Sequence, residues 1–184
     1  MALFNIISEI SNPFLDMVFT LITSSYFLIP VIVAIVLLVE KDKLKNIGIR
    51  TNTKSVIPVI LPVFLAVILT VIATTAIKEV VHEDRPCQVM QDIKFPYCQD
   101  SNSFPSRHTA IAFAALPFLA LRDLRKYFVI LLIYTSLVGI GMIYLGQHYP
   151  HDVLAGFMIG FGIGYLFLLK SGWIAEKCGK ILKI

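Results

Sequence analysis

Charge is scarce in this chain, and its absences are informative. Only 15% of the 184 residues are charged, against 57% hydrophobic, where a soluble domain carries about 25% charged residues. The mean hydropathy is +0.80. A water-soluble globular protein is thereby excluded, and the chain belongs in a bilayer. The apolar stretches are continuous and lack the alternation of a transmembrane barrel strand, so helices are left as the means of satisfying the backbone in lipid. No Lys or Arg precedes Lys41, and Met1 to Asp16 lacks the basic start and small-residue cleavage site of a secretory signal, so this segment is expected to stay in the mature protein. There is no long internal repeat, no low-complexity tract and no second soluble domain, and no nucleic-acid partner is expected.

The expected fold is therefore all-α: one membrane domain over residues 1–184, built as a bundle of about five transmembrane helices. The spans fall at about 26–40, 55–77, 108–121, 127–147 and 151–169. Residues 3–24 mix Ile, Phe and Leu with Ser, Asn, Asp and Glu, which reads as an interfacial amphipathic helix started or kinked at Pro13. Basic residues in short loops favour the cytoplasm. Lys41, Lys43, Lys45, Arg50 and Lys54 follow the first span; Arg122, Arg125 and Lys126 follow the third; Lys170, Lys177, Lys180 and Lys183 close the chain. Five spans put all three groups on one side, leaving the N-terminus, the loop 78–107 and the turn around Tyr149 on the extracytoplasmic side of a multi-pass cell-membrane protein.

That outward side carries the chemistry. It holds Lys78, Arg85, Lys94 and Arg107 against the charge rule, and all four histidines, His82, His108, His148 and His151. Ionisable groups at membrane depth are costly and usually functional. Cys87 and Cys98 lie in the same loop, where an oxidising compartment permits a disulfide; two unpaired thiols are the alternative, and Cys178 is in the inward tail. Gly156, Gly160 and Gly164 share one helical face, suited to close packing inside the bundle or, alternatively, to a homodimer.

Three short segments stand out. In KEVVHEDRP, Lys78 and Arg85 sit at one rim, a point charge and a planar fork that suit phosphate, although both residue types also snorkel for structural reasons. In FPSRHT, Ser106 is a natural N-cap whose helix start offers an anion site, with Arg107 adding a cation and His108 a proton donor. In YLGQHYPHDVLAG, Pro150 reverses the chain so that Asp152 can accept the Nδ1 proton of His148; a capping Asp beside an interfacial His is the bland alternative. Tyr144 and Tyr149 read as interfacial anchors. A zinc site from His148, His151, Asp152 and His82 has suitable residue types, but phosphate chemistry accounts for the spacing, so no metal and no cofactor is expected.

Together these segments resemble the type 2 phosphatidic acid phosphatase family, whose signature is Lys, six residues, Arg-Pro; then Pro-Ser-Gly-His; then Ser-Arg, five residues, His, three residues, Asp. The resemblance implies a phosphatidic acid phosphatase/haloperoxidase-like core. It implies that His148 attacks phosphorus to form a phosphohistidine, that Asp152 orients it, and that His108 protonates the leaving group. Lys78, Arg85, Ser106 and backbone N–H groups near Arg107 would hold the phosphoryl oxygens. The expected activity is metal-independent hydrolysis of a phospholipid or isoprenoid phosphate or diphosphate. Alternatives are phosphoryl transfer through the same intermediate, a non-catalytic phospholipid-binding protein, and a proton relay; the last lacks charged residues deep in the spans. Two positions depart from the signature: Gly141 and Met142 replace Ser-Arg, and Arg107 replaces Gly. The expectation is that Arg107 supplies the cation that Met142 cannot.

Overall fold

In this computed structural model the described residues are 2–25, 27–28, 30, 32–34, 53–90, 95–120 and 125–182, with side chains left aside at 53–59, 125, 126, 175 and 178–182. Lys41, Lys43, Lys45, Arg50, Lys94, Arg122, Lys183 and most of the expected first span lie outside them. The elements are helices α1 (Ala2–Ile10), α2 (Pro13–Thr23), α3 (Thr53–Val80), α4 (Pro86–Val89), α5 (Arg107–Ala114), a 3-10 turn (Leu116–Leu119), α6 (Arg125–Tyr144) and α7 (Pro150–Leu182). Among the described residues there is no strand.

Among the described residues three helices are long and apolar enough to cross a membrane, over Ile60–Val80, Tyr127–Tyr144 and Pro150–Ile174. They coincide with the expected second, fourth and fifth spans. The segment expected as the third is α5 followed by the 3-10 turn. Eight helical residues rise only about 12 Å, and Pro117 in the turn removes a backbone donor. Residues 3–24 are two helices rather than the one expected, meeting at 112°. The break is local chemistry: the Asn12 side chain caps α2 by accepting from the Leu15 N–H at 3.0 Å, and Pro13 takes the first helical position.

Lipid provides no hydrophobic drive between helices, so close packing must hold them. Helix α7 supplies it with glycine. A Cβ at Gly156 would lie 2.5 Å from the Ser106 carbonyl oxygen, and one at Gly160 or Gly164 would fall on the carbonyls of Ala110 or Ala114. The glycine face is thus spent on α5 inside the bundle. A Cβ at Gly141 on α6 would meet Phe19 and Thr23 of α2 at 2.8 Å. Tyr144 Oη donates to Asp16 Oδ1 (2.8 Å) and Tyr134 Oη to the Ile22 carbonyl (3.0 Å), fixing α2 along α6. The core joins Leu28 and Ile32 with Val63, Phe113, Leu116, Leu131 and Val138. Helix α1 turns Phe4 and Ile7 inward, with the Phe4 ring edge-on to Phe95 and Tyr149.

Candidate active site

The ends of α3, α5, α6 and α7 meet at one side of the bundle, and each end is shaped by a local signal. Helix α6 ends at Tyr144, and the chain turns at Gly146, whose φ of 65° is open to glycine at low cost. Gly146 N–H bonds to the Ile143 carbonyl (2.9 Å) and Gln147 N–H to that of Met142 (3.0 Å), the paired bonds of a Schellman end. His148 N–H also donates to the Met142 carbonyl, at 3.1 Å. Met142 therefore sets the backbone of His148 with its carbonyl while its own side chain is buried.

His148 and Asp152 are both fully buried. His148 Nδ1 lies 3.3 Å from Asp152 Oδ2, so the orientation expected from spacing is present. The same oxygen accepts from Tyr149 N–H (2.8 Å), closing the first turn of α7 behind Pro150. Capping and orienting are thus one arrangement rather than alternatives. Asp152 Oδ2 also accepts from Ser103 Oγ at 2.5 Å, and the Asp152 carbonyl accepts from Ser106 N–H at 3.0 Å, tying α7 to the start of α5.

Arg85 is buried beside them. Its Nε donates to the Ser101 carbonyl (2.7 Å), Nη2 to Ser101 Oγ (2.8 Å), and Nη1 to the Gln147 carbonyl (2.7 Å). Nη1 then lies 3.4 Å from His148 Nε2. Lys78, at the last turn of α3, donates to the carbonyls of Asn102 (2.5 Å) and Ser103 (2.8 Å). The charges of Lys78, Arg85 and Arg107 act on one another and on His108. Arg107 is half-buried at the first position of α5 and makes no hydrogen bond or ion pair among the described residues. Ser106 caps α5, its Oγ accepting from Thr109 N–H (3.5 Å) and pairing with Thr109 Oγ1 (2.9 Å).

Burial lowers the His148 imidazole to about 4, the Asp152 hydrogen bond opposing and Arg85 reinforcing. Above that value the ring is neutral, with its Nδ1 proton toward Asp152 and an Nε2 lone pair available. A proton on Nε2 would occupy that lone pair, so the lowered pKa keeps Nε2 unprotonated to lower pH. With Nε2 as the attacking atom, we expect the acid limb of kcat/KM, corrected for substrate ionisation, to lie near pH 4. An acid limb near the ordinary histidine value would contradict this.

Three polar residues were missed by motif reading. Ser103 holds Asp152. Gln147, fully buried, donates from Nε2 to the Tyr97 carbonyl (2.7 Å), and its Oε1 accepts from Gln99 N–H (3.3 Å). Ser25 Oγ stands 3.1 Å from His108 Nε2. A Gln next to His148 at the end of an apolar helix was a legible signal; nothing in the sequence marked the two serines. Cys87 and Cys98 are joined by a disulfide, and Cys87 N–H donates to the Gly146 carbonyl at 2.9 Å, pinning the outward loop to the His148 turn. His82 Nδ1 lies 3.3 Å from Asn102 Nδ2, so the zinc grouping weighed from sequence is not assembled: His82 and His148 face different partners.

Residues 59–175, which carry every group just described except Ser25, match the sequence profile of the PAP2 superfamily. The chain belongs to the PAP2 superfamily. Its PAP2 fold is similar to that of LpxE from Aquifex aeolicus, with a TM-score of 0.66 and 30% identity over 91% of this chain and 93% of that one. It is also similar to a PAP2-type phosphatidylglycerolphosphate phosphatase from Bacillus subtilis, with a TM-score of 0.69 and 27% identity over 94% and 84% of the two chains. Undecaprenyl-diphosphatase BcrC of Bacillus subtilis (strain 168) is 35% identical over 89 residues, 48% of this chain and 45% of BcrC. Bacitracin transport permease protein BcrC of Bacillus licheniformis is 41% identical over 76 residues, 41% of this chain and 35% of that protein. The matched region spans less than half the length of either curated relative.

Proposed function

We propose that this PAP2 protein hydrolyses an isoprenoid diphosphate or a related lipid phosphate at the extracytoplasmic membrane surface, through a phosphohistidine on His148. The observation that carries this reading is the buried His148, held at Nδ1 by Asp152 and with Nε2 3.4 Å from the Arg85 guanidinium. In the reaction, Nε2 attacks phosphorus and the bond from phosphorus to the lipid-side oxygen breaks. His108 gives that oxygen a proton. Water then attacks the phosphohistidine, His108 takes the water proton, and phosphate leaves. Positioning and fixed positive charge supply most of the rate in such transfers.

Lys78 and Arg85 sit where charge develops on the phosphoryl oxygens, and Arg107, unengaged by other side chains, adds the third cation that Met142 does not. A groove of about 200 Å³ lined by Ile32, Val33, Ile60, Val63, Phe64, Val67 and Ile111 lies beside α5. Ile111 is one turn along that helix from His108, which suits a hydrocarbon chain leaving the site sideways. The similarity to an undecaprenyl-diphosphatase supports a diphosphate headgroup, and the basic loops support an outward-facing site.

The test is phosphate release by detergent-purified protein from undecaprenyl diphosphate, phosphatidylglycerophosphate and phosphatidate with a chelator present. We expect the diphosphate to be the best substrate. Lys78→Ala should abolish release, and Arg107→Ala should lower it by about tenfold to a hundredfold, the value of one charge-assisted contact. Full turnover in Arg107→Ala would remove Arg107 from the cradle, and no release from any substrate would end the hydrolase reading.

A further inference from the structure

Asp152 holds one more feature that its role toward His148 does not use. Its Oδ1 is buried and has no hydrogen-bond partner, although Oδ2 accepts from Ser103, Tyr149 and His148. Such an orphaned carboxylate oxygen is costly inside a protein. The atom points to the rim, where His151 Nε2 lies 3.2 Å away. His151 Nε2 is in turn 2.9 Å from Glu83 Oε1. All three atoms lie within 4.8 Å of one another. The His151 ring is itself held, stacked on Tyr149 with centroids 5.3 Å apart and planes 6° from parallel.

We propose that these three atoms form an inhibitory site for a zinc-type divalent ion. An imidazole nitrogen and two carboxylate oxygens suit zinc, whose ligand bonds of about 2.0–2.2 Å place neighbouring ligands about 3.4 Å apart in a tetrahedron. The two short separations fall within about half an ångström of that spacing, so small side-chain shifts make room for the ion. Glu83 and His151 are partly exposed, which leaves an entry path and a fourth position for water.

The consequence rests on the hydrolase reading above. Asp152 orients His148 through the negative charge shared by its two oxygens. A dication on Oδ1 draws that charge away, weakens the hold of Oδ2 on the Nδ1 proton, and leaves Nε2 a poorer nucleophile. The effect falls on kcat rather than KM, because Lys78, Arg85 and Arg107 remain in place. The site differs from the zinc grouping suggested by the sequence: it contains neither His148 nor His82, and it restrains the reaction instead of running it.

The experiment pairs binding with turnover. Cobalt titrated into the detergent-purified, chelator-stripped protein reports binding through its visible absorption, and zinc titrated into the phosphate-release assay reports inhibition. We expect one cobalt per chain, lost in His151→Ala and weakened in Glu83→Gln. The zinc midpoint should rise at least tenfold in both variants, while their metal-free turnover stays at the wild-type level. Equal zinc inhibition in wild type and His151→Ala would place zinc on the lipid diphosphate or elsewhere on the protein and overturn the site, as would a cobalt spectrum indifferent to His151. Absence of metal-free turnover in the wild type would instead strike the hydrolase reading, with the cobalt titration still deciding whether the site exists.

Discussion

Phosphate release should drop to the uncatalysed background in His148→Ala and by about 10³- to 10⁴-fold in Asp152→Asn, with both proteins still folded. The two losses have different origins. In the proposed mechanism His148→Ala removes the atom that attacks phosphorus, leaving the cations Arg85, Lys78 and Arg107 with no group to receive the phosphoryl. Asp152→Asn keeps the proposed nucleophile and removes the negative charge beside its Nδ1. Ser103 Oγ, Tyr149 N–H and His148 Nδ1 all converge on Asp152 Oδ2. An Asn oxygen can take that place, so the start of α7 survives, but its neutral amide no longer favours the Nδ1–H tautomer or stabilises positive charge on the ring. A loss of 10⁴ corresponds to about 5.5 kcal/mol of barrier. The deciding measurement is a denaturing quench at alkaline pH, which preserves an acid-labile phosphoenzyme. That species should be present in the wild type, absent in His148→Ala and slow to form in Asp152→Asn. Turnover by His148→Ala at a tenth of the wild-type rate would mean that another group attacks phosphorus.

How much of this arrangement was legible in advance depends on whether the signal was local. The reversal at Pro150, the pairing of His148 with Asp152, and the cap at Ser106 each need only a few neighbouring residues, and the spacing conveyed them. The long apolar helices were equally plain, because about 20 consecutive apolar residues have few other fates. Contacts between distant segments were not legible. Ser25 meets His108 from 83 positions away, and Ser103 meets Asp152 from 49; a lone serine carries no periodicity to announce such a partner. The break at Ser11 and Asn12 was half visible, since Pro13 was recognised but the cap that turns one helix into two was not. Ser106 shows the converse limit: its hydroxyl was expected on phosphate, and in the structure it also pairs with Thr109 Oγ1. A side chain with two plausible duties cannot be assigned to one of them from sequence.

The second large effect comes from a residue that touches no substrate. Gly160→Val should yield protein that aggregates on extraction or melts at least about 10 °C below the wild type, because the added side chain meets backbone rather than a movable side chain. A Cβ at this position falls on the Ala110 carbonyl and within 2.9 Å of the Ala110 Cα. Helix α5 would have to retreat, and it carries Ser106, Arg107 and His108. The bond from Ser106 N–H to the Asp152 carbonyl would stretch with it, so any folded remainder should lose kcat more than it gains KM. Gly162 is the control two positions along the same helix. Nothing lies within 4 Å of a Cβ there, so Gly162→Ala adds only the better helix propensity, about 1 kcal/mol in favour of folding. Its melting temperature should hold or rise and its turnover should be unchanged. If Gly160→Val instead melts and turns over like Gly162→Ala, α5 and α7 are not in contact along this face, and the meeting of helix ends that assembles the site loses its physical basis.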